Sequence, residues 1–563
     1  MRELLRRLRV SPILTAELLA ASLCINLLAF AAPLFTIQVL NRYVTFGFDG
    51  TLVTLTAGML LALGLMFLFR QARLKMAAVV SAGPDYRLAA QTLDILATAR
   101  VLPLMRMPPA KRQEILGHVQ LVESAMTPAT IVAVLDLPFC LLFVIAVWLL
   151  HPALALIVLL ALAAIFVLSK TAMTASKAPV QELADLSAAH RGLALSALDG
   201  AETVRAFRAL PSLRQTWHEQ LERMLALRHK LGMDKGLSQN LLQATAILLR
   251  VLLFALGAKL VVMGQLSIGA LFGASMLGSS AFQSVSGFLT AGTQLARADD
   301  ALRSLADLAR LPREAESGTA IRNYSGAMEL KDLAFMYQGD SGPLFESLNL
   351  TIPAGSVLLV TGYNGAGKTT FARILCGLLD PSRGQVLADG VDLRQLAPTW
   401  WRSQVIYFPQ DPQLLNTSIR QNILMPCPDM EEERLQAILE AADLKRWLDG
   451  QADGMEARIQ AGGKLLSEGI RRRIALARAL ATQGRVAIFD EPADGLDAEG
   501  RAAVARVLAE LSRRGVTVVI LTHDASVVHG SRMHIDLSVK PVPAVKVLEV
   551  ANPRPGSVGQ QDG

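Results

Sequence analysis

The chain has 563 residues, enough for two or three domains, and 52% of them are hydrophobic while only 18% are charged. This composition excludes an ordinary soluble protein, in which about a quarter of the residues are charged, and it favours a membrane protein. The formal net charge of +7 could indicate a nucleic-acid partner, but the basic residues flank apolar runs, as they do in membrane proteins. We therefore expect a lipid bilayer, and no nucleic acid, as a partner.

Six apolar stretches occupy the first half of the chain, and each is long enough to cross a bilayer, which needs about 20 residues. The segment before the first stretch, MRELLRRLRV, and the two long segments at 70–128 and 174–239 are rich in Lys and Arg, whereas the opposite loops are short. Because basic loops remain in the cytoplasm, both termini are predicted to be cytoplasmic. The long segments also show helical periodicity, so the spans should continue as helices beyond the bilayer. The predicted transmembrane domain is 1–310, with spans at about 13–40, 51–70, 129–150, 153–173, 240–262 and 268–290.

The N-terminal segment also has features of a signal peptide, because a basic start and an apolar run are followed by AFA at 29–31. The apolar run, however, continues through APLFTIQVL, and five further spans follow it. We expect this segment to be retained as the first span.

Arg250, in ILLRVLLF, is the basic residue nearest the middle of a predicted span. A charge at that depth is costly and should face a bundle interior or a wet cavity. We interpret Arg250 as a candidate residue of the translocation path, with a structural ion pair or snorkelling to the interface as an equally weighted alternative. Asp136, in VLDLPFC, raises the same question.

After a linker predicted at 311–325, short apolar runs alternate with helical segments, and we predict a nucleotide-binding domain over 326–545. Its stretch GSVLLVTGYNGAGKTTF has the pattern of a strand, a Gly-rich turn and a helix, and within it the chain matches GxxxxGK[ST]. The tail at 546–563 is rich in Pro, Gly and polar residues and is predicted to be disordered.

The Gly-rich turn predicts ATP binding for a chemical reason. Glycines let backbone N–H groups close around phosphate oxygens, and the start of a helix favours anions. Lys368 would reach the β- and γ-phosphates, and Thr369 would offer its hydroxyl to Mg²⁺. The predicted ATP-binding residues of this turn are Gly362, Tyr363, Asn364, Gly365, Ala366, Gly367, Lys368, Thr369 and Thr370.

The stretch VAIFDE at 486–491 predicts a buried strand that ends in two acidic residues. A carboxylate at the end of such a strand can hold Mg²⁺, which is the role predicted for Asp490. The next residue, Glu491, can orient and polarise the water that attacks the γ-phosphate. A solvated strand end is the alternative, and the P-loop in the same chain argues against it.

The motifs LAFMYQGD, VIYFPQDPQLL, DGLD and VVILTHD stand in order around these two elements. With them, nearly the whole chain resembles ATP-binding cassette (ABC) exporters that fuse a six-helix membrane domain to one nucleotide-binding domain. The resemblance implies a type I exporter-like helical bundle joined to an α/β P-loop ATPase domain with a helical signature subdomain. It implies that Tyr337 stacks on adenine, Gln410 binds Mg²⁺ and links to the membrane domain, Asp497 lies in the dimer-interface loop, and His523 contacts the γ-phosphate as a catalytic residue.

The stretch LSEGI at 466–470 resembles the family's signature LSGGQ. In the family this segment closes over the γ-phosphate held by the partner subunit, which implies that role for Ser467 and Gly469. Glu468 stands where Gly is usual and Ile470 where Gln is usual. The carboxylate of Glu468 would repel the nucleotide if it faced the phosphates and would matter little if it faced solvent. We expect a functional site, because the hydroxyl and the backbone donor remain.

The membrane half resembles type I secretion exporters of the bacterial inner membrane, on the stretches AAPLFTIQVLNRYV, LDLPFCLLF and LGAKLVVMGQLSIGALFGASML. SSAFQSVSGF lacks the proline that is usual in that branch. The favoured hypothesis is a homodimer that exports a protein or peptide with a membrane-fusion protein and an outer-membrane channel. The second is one half of a heterodimeric exporter for a small molecule, lipid or peptide, with an asymmetric signature site. The third is a regulatory cassette protein that binds ATP with negligible turnover.

Overall fold

The computed structural model describes residues 2–523, 531 and 533–547. The chain forms two compact units, one made of Met1–Ala99 and Pro103–Leu311 and the other of Arg100–Leu102 and Pro312–Gly563. Of the predicted tail, residues 546 and 547 belong to a strand, and the remainder lies outside the described residues.

The first unit is helical. Its long helices follow one another with short connections, and a π-helical turn at Val39–Tyr43 and a 3₁₀ turn at Leu137–Phe139 join shorter pieces. In chain order, the helices up to residue 309 are α1 Arg2–Val10, α2 Pro12–Leu28, α3 Ala31–Gln38, α4 Val44–Phe46, α5 Asp49–Thr98, α6 Val101–Arg106, α7 Pro109–Ala125, α8 Pro128–Asp136, α9 Cys140–Leu150, α10 Pro152–Asp199, α11 Ala201–Ala206, α12 Leu210–Val262 and α13 Ile268–Ala309.

Five helices in the described part of the chain are long and apolar enough to cross a membrane, and they overlap five of the six predicted spans. They correspond to Pro12–Phe46, Asp49–Thr98, Pro128–Leu150, Pro152–Asp199 and Leu210–Val262. The predicted span at 268–290 begins α13, whose many Gly and Ser residues leave it less apolar than the others. Helices α5, α10 and α12 have 50, 48 and 53 residues, which at about 1.5 Å per residue far exceeds a hydrocarbon core of about 30 Å.

Local chemistry explains where several of these helices begin. Pro152 is the first residue of α10, where its missing N–H costs nothing, and His151 before it accepts a hydrogen bond at Nδ1 from the N–H of Ala153 at 3.2 Å. Ser267 caps α13 in the same way, with Oγ 3.1 Å from the N–H of Ala270.

Asp136 forms a structural ion pair, the alternative left open by its sequence. Its Oδ1 accepts from Nη1 of Arg73 at 2.6 Å and from Nδ2 of Asn26 at 3.2 Å. Arg73 is 6% exposed and also donates to Ser22 at 3.1 Å. The network joins α2, α5 and α8, and its partners offset the cost of burying two charges.

Arg250 lies on the exposed side of α12, beside the buried Leu249. Within the residues that the structure describes, its guanidinium forms no ion pair. The structural ion pair considered for this residue is therefore not seen, and both a role in the translocation path and snorkelling to the interface stay predictions.

The second unit has two sheets with helices. The strands are β1 Met328–Phe335, β2 Phe345–Ile352, β3 Val357–Thr361, β4 Arg383–Ala388, β5 Val391–Asp392, β6 Val405–Phe408, β7 Val486–Asp490, β8 Thr517–Thr522, β9 Met533–Asp536 and β10 Ala544–Val547. The helices are α14 Lys368–Leu375, α15 Pro398–Ser403, α16 Ile419–Leu424, α17 Glu432–Ala441, α18 Lys445–Asp449, α19 Glu468–Ala481 and α20 Ala498–Arg513.

The larger sheet has the order β10-β9-β3-β8-β7-β6, and all its pairs are parallel except β10 with β9. The smaller sheet is antiparallel, in the order β2-β1-β4-β5. Strands β7 and β8 are buried at every position, because a parallel sheet covered on both faces needs near-continuous apolar strands. The two faces of the larger sheet contribute to separate apolar clusters.

Candidate active site

Four parallel strands of the larger sheet end at one edge, in the order β3, β8, β7 and β6. The P-loop follows β3, His523 follows β8, Asp490 ends β7 with Glu491 next, and Gln410 follows β6. Because the carboxyl ends of parallel strands meet at one edge, four segments that are distant in sequence bring these side chains together.

Two glycines give the P-loop its shape. The φ angles are +87° at Gly365 and +107° at Gly367, a region that residues with a Cβ rarely adopt. A Cβ at Gly367 would also lie 2.7 Å from Cδ2 of Leu344. The loop leads directly into α14, so the free N–H groups of the first helical turn adjoin the loop, an arrangement that suits a phosphate.

Lys368 opens α14 and is 7% exposed. Its Nζ donates to the carbonyl oxygen of Gly362 at 2.7 Å and lies 3.2 Å from Oε1 of Glu491. A buried ammonium needs such partners because an unpaired charge in the interior is costly. The pair holds the cation predicted to bind phosphate against the carboxylate predicted to act on water.

Glu491 is 2% exposed and contacts His523 through its other oxygen. Oε2 accepts from the backbone N–H of His523 at 3.3 Å and lies 3.0 Å from its Nδ1. The backbone of Glu491 has a φ of +48°, which costs about 1 kcal/mol for a residue other than Gly. Its N–H donates to the carbonyl oxygen of Leu521 at 2.8 Å, so the neighbouring strand holds the strained residue in place.

Asp490 is fully buried at the end of β7. Burial raises its pKa to about 6; the carboxylate of Glu491 adds to this effect, and the Lys368 ammonium opposes it. In the described part of the chain, neither carboxylate oxygen has a donor in hydrogen-bond geometry, and the Thr369 hydroxyl donates instead to Oε1 of Gln410 at 3.2 Å. Such a set of oxygen donors, with an unsatisfied carboxylate among them, fits Mg²⁺.

Tyr337 follows β1 and lies against the helix that carries the P-loop. Its hydroxyl is 2.8 Å from Oγ1 of Thr370, and its ring meets the ring of Phe335 edge-on with 4.9 Å between centroids. The side chain is half-buried, which leaves part of the ring available for the adenine stacking that the resemblance to ABC exporters implies.

The signature residues lie at the N-terminus of α19. Ser467 caps the helix, with Oγ 3.4 Å from the N–H of Ile470, and a Cβ added at Gly469 would meet no atom within 4 Å. Among the described residues, neither forms a hydrogen bond to the P-loop. The absence of such a hydrogen bond among the described residues is expected if, as the resemblance implies, they act on a nucleotide held by another subunit.

Glu468 is largely exposed to solvent, one of the two alternatives considered for it, and also has an ion-pair partner in its own helix. Its side chain is 58% exposed, and Oε1 lies 3.6 Å from Nε of Arg472, four residues along the same helix. The carboxylate therefore has a cationic partner within its own chain.

Asp497 caps α20 and contacts the signature helix. Its Oδ1 accepts from the N–H of Gly500 at 2.8 Å and from Nη2 of Arg473 at 2.9 Å. These two donors lower its pKa, with the Gly500 N–H as the larger cause. Arg473 also pairs with Asp443 at 2.9 Å, so the loop predicted at the dimer interface is connected to α19.

Two basic side chains that sequence reasoning missed hold the backbone of the site. Arg472, 1% exposed, donates to the carbonyl oxygens of Glu491 at 2.9 Å and Gln410 at 2.7 Å. Lys540 donates to the carbonyl oxygen of Ala366, in the P-loop, at 2.7 Å. The buried register of α19 could have indicated Arg472, whereas Lys540 is 174 residues from its partner and has no local signal.

Comparison with known proteins assigns both parts of the chain to one family. Residues 345–494 match the family described as ABC transporter, and residues 16–285 match the ABC transporter transmembrane region. A solved structure of a bacterial Atm1-family ABC exporter with ATP bound superposes with a TM-score of 0.83, covering 95% of this chain and 96% of that chain at 18% identity. That likeness concerns the fold.

Curated relatives include proteins that translocate toxins. The alpha-hemolysin translocation ATP-binding protein HlyB of Escherichia coli is 26% identical over 516 residues, which are 91% of this chain and 72% of that protein. The exotoxin translocation ATP-binding protein PaxB of Pasteurella aerogenes is 28% identical over 408 residues, 72% of this chain and 57% of that protein. With both family regions fused in one polypeptide, the chain belongs to the ABC transporters, as a multi-pass membrane exporter with an ATPase domain.

Proposed function

We propose that this chain is the permease and ATPase of a type I secretion exporter, which works as a homodimer in the bacterial inner membrane and exports a protein or peptide. The observation that carries the proposal is the catalytic set at one sheet edge, in which Lys368 and His523 both contact Glu491. The names of the relatives, which translocate hemolysin and exotoxin, support a protein as the substrate.

ATP hydrolysis at this edge follows from the positions of the side chains. The phosphates of ATP would accept hydrogen bonds from the P-loop and the first turn of α14, and Lys368 would neutralise their charge. Glu491 would orient the attacking water and accept its proton, while His523 would hold Glu491 through the contact already present and reach the γ-phosphate. Tyr337 would stack on the adenine.

The metal that accompanies ATP has donors in this chain. Thr369, Gln410 and Asp490 would hold Mg²⁺ through oxygen atoms, as their hydroxyl, amide and unsatisfied carboxylate allow. The ion would neutralise charge on the β- and γ-phosphates.

A dimer would complete each site with the partner's signature. Ser467 and the open backbone at Gly469 offer a hydroxyl and N–H donors at the start of α19. The pairing of Glu468 with Arg472 reduces the repulsion that its charge would otherwise exert on phosphate. Both features support a signature that functions in a homodimer, with Asp497 near the interface.

The orientation of the proposed exporter in the membrane and its partner proteins are also part of the proposal. The basic segments at 70–128 and 174–239 support cytoplasmic termini and a cytoplasmic ATPase domain. A membrane-fusion protein and an outer-membrane channel are the proposed partners for export across both membranes.

A heterodimer is the second candidate, because LSEGI departs from the usual signature at two positions. In that arrangement, this chain's catalytic set would work with the standard signature of a different half-transporter. A regulatory cassette with negligible turnover is less well supported, because both Glu491 and His523 are in place.

Steady-state ATP hydrolysis by the chain purified alone in lipid nanodiscs tests the proposal. The matched control is Glu491→Gln, which keeps the size of the side chain and removes its charge. We expect Mg²⁺-dependent turnover that the variant reduces by about 100-fold or more, as the loss of a general base implies.

The remaining outcomes separate the alternatives. ATP binding without turnover by the chain alone would contradict the homodimer, and turnover restored by a second half-transporter would then establish the heterodimer. Export of a protein into the medium by cells that express the chain with a fusion protein and a channel would test the substrate class. Export of only small molecules would refute it.

A further inference from the structure

The side chain of Glu468, the first residue of α19, packs against Gly495 in the segment between β7 and α20. A Cβ built on Gly495 would lie 2.3 Å from Oε1 and 2.7 Å from Cδ of Glu468, far inside ordinary contact distance. The side chain of Glu468 therefore occupies the space that any side chain at position 495 would take. Gly495 has a φ of +63° and lies four residues after Glu491, on the segment that leads to α20.

Arg472 connects this carboxylate to the catalytic edge. Its Nε faces Oε1 of Glu468 at 3.6 Å and has no hydrogen-bond acceptor in the described part of the chain. The other two guanidinium nitrogens donate to the carbonyl oxygens of Glu491 and Gln410. The guanidinium carbon also lies 5.8 Å from the centre of the Phe408 ring. One buried cation thus joins β6, β7 and α19.

Glu468 is the anion paired with this buried cation. A guanidinium at 1% exposure that donates only to neutral carbonyls would be costly, because burying an uncompensated charge is unfavourable. Glu468 offsets that cost from the partly exposed side. The carbonyl oxygen that Arg472 holds belongs to Glu491, whose backbone has a φ of +48°.

We propose that Glu468 is a positioning residue of the chain's own ATPase site, and that Gly495 is the glycine that makes room for it. Glu468 orients Arg472, and Arg472 fixes the backbone of Glu491 relative to Gln410. A residue of the signature, whose neighbours act on the partner's nucleotide, thereby influences catalysis in its own subunit. The inference rests on the proposed ATPase function of Glu491.

A purely structural role makes a different prediction. An acidic residue in the first helical turn stabilises a helix through the helix dipole. If that were the only role of Glu468, its replacement would lower stability and leave the chemical step unchanged. Glu499 is the matched control, because it is an exposed acid in the first turn of α20 that forms no hydrogen bond or ion pair among the described residues.

The first test measures kcat and KM for ATP in nanodiscs. We expect Glu468→Gln to lower kcat by about tenfold with KM changed by less than about twofold, since a positioning effect appears in the chemical step. Glu468→Asp should recover part of the loss, and Glu499→Gln should match the wild type. An unchanged kcat for Glu468→Gln would overturn the proposal.

A double-mutant cycle tests the role of Gly495. Gly495→Ala should lower kcat in the wild-type background, because the new methyl group displaces the carboxylate from Arg472. In the Glu468→Gly background the same change should have a much smaller effect. The strain of an alanine at positive φ is present in both backgrounds and cancels in the cycle. Equal effects of Gly495→Ala in the two backgrounds would refute the steric relationship.

Hydrogen exchange provides a readout that does not depend on turnover. Glu468→Gln should speed amide exchange in peptides that contain Gln410 or Glu491 and leave a peptide from the middle of α20 unchanged. If the wild type shows no turnover that depends on Glu491, the proposed function fails, and the exchange result still decides the positioning role. Unchanged exchange at both peptides would overturn it.

Discussion

Replacing Asp490 by Asn is expected to stabilise the protein when neither Mg²⁺ nor nucleotide is bound. Burial raises the pKa of Asp490 from 3.8 to about 6, so the folded state disfavours the ionised carboxylate. The protonated carboxyl of Asp490 makes its full contribution to folding stability below pH 3.8. This contribution is lost as the pH rises through about 6. This difference corresponds to about 3 kcal/mol at pH 7.5, to roughly half of that at pH 5, and to less than about 1 kcal/mol at pH 4. Asn, which cannot ionise, should recover these amounts.

The assay is urea unfolding of the full chain in detergent with a chelator present, followed by tryptophan fluorescence. A background with Trp148→Phe and Trp217→Phe restricts the signal to the second unit, where Trp401 is 2% exposed. Asp429→Asn is the control, because Asp429 is exposed and its replacement should change nothing. A gain for Asp490→Asn that is the same at pH 5 and pH 7.5, or absent at pH 7.5, would refute the reasoning.

Three further changes test other parts of the structure. Gly367→Ala should weaken binding of a fluorescent ATP analogue by roughly tenfold. The reason is about 1.4 kcal/mol of strain from the positive φ at this position and from the contact of the new methyl group with Leu344. Unaltered affinity would contradict the P-loop geometry. Asp136→Ala should destabilise the membrane unit by about 3–5 kcal/mol in thermal unfolding, since Arg73 loses its partner, whereas Arg73→Met with Asp136→Leu should recover most of the loss. Tyr337→Phe should keep the affinity for ATP. Tyr337→Ala should reduce it about fivefold, because about 1 kcal/mol of stacking is lost. Equal losses of affinity in both variants would instead implicate the hydroxyl.

The spans and the catalytic strands could be predicted because their signals are local. A run of about 20 apolar residues can satisfy its backbone in lipid only as a helix, and five such runs coincide with helices of the structure. The turn between β3 and α14 is also specified by contiguous residues, because glycines at 365 and 367 supply the positive φ angles that the loop requires. The buried run before Asp490 indicated β7 for the same reason.

Contacts between distant segments could not be predicted from the same patterns. The partner of Asp136 is Arg73, 63 residues away on another helix, and neither residue has a signal that specifies the other. The resemblance assigned a role to His523, but its contact with Glu491 arises because β8 lies beside β7 in the sheet. Arg472 was missed because its role depends on two carbonyl oxygens, 19 and 62 residues away.

The sequence alone determined the class of protein, since apolar length, basic loops and a Gly-rich turn act over a few residues at a time. The orientation of the Glu468 carboxylate in the altered signature could be read only from the tertiary structure. The glutamate at 468 could have faced phosphate or solvent, and its direction depends on the space at Gly495 and the buried guanidinium of Arg472. A side chain's orientation is set by the charges and the free volume around it, and chain segments far apart in sequence supply both.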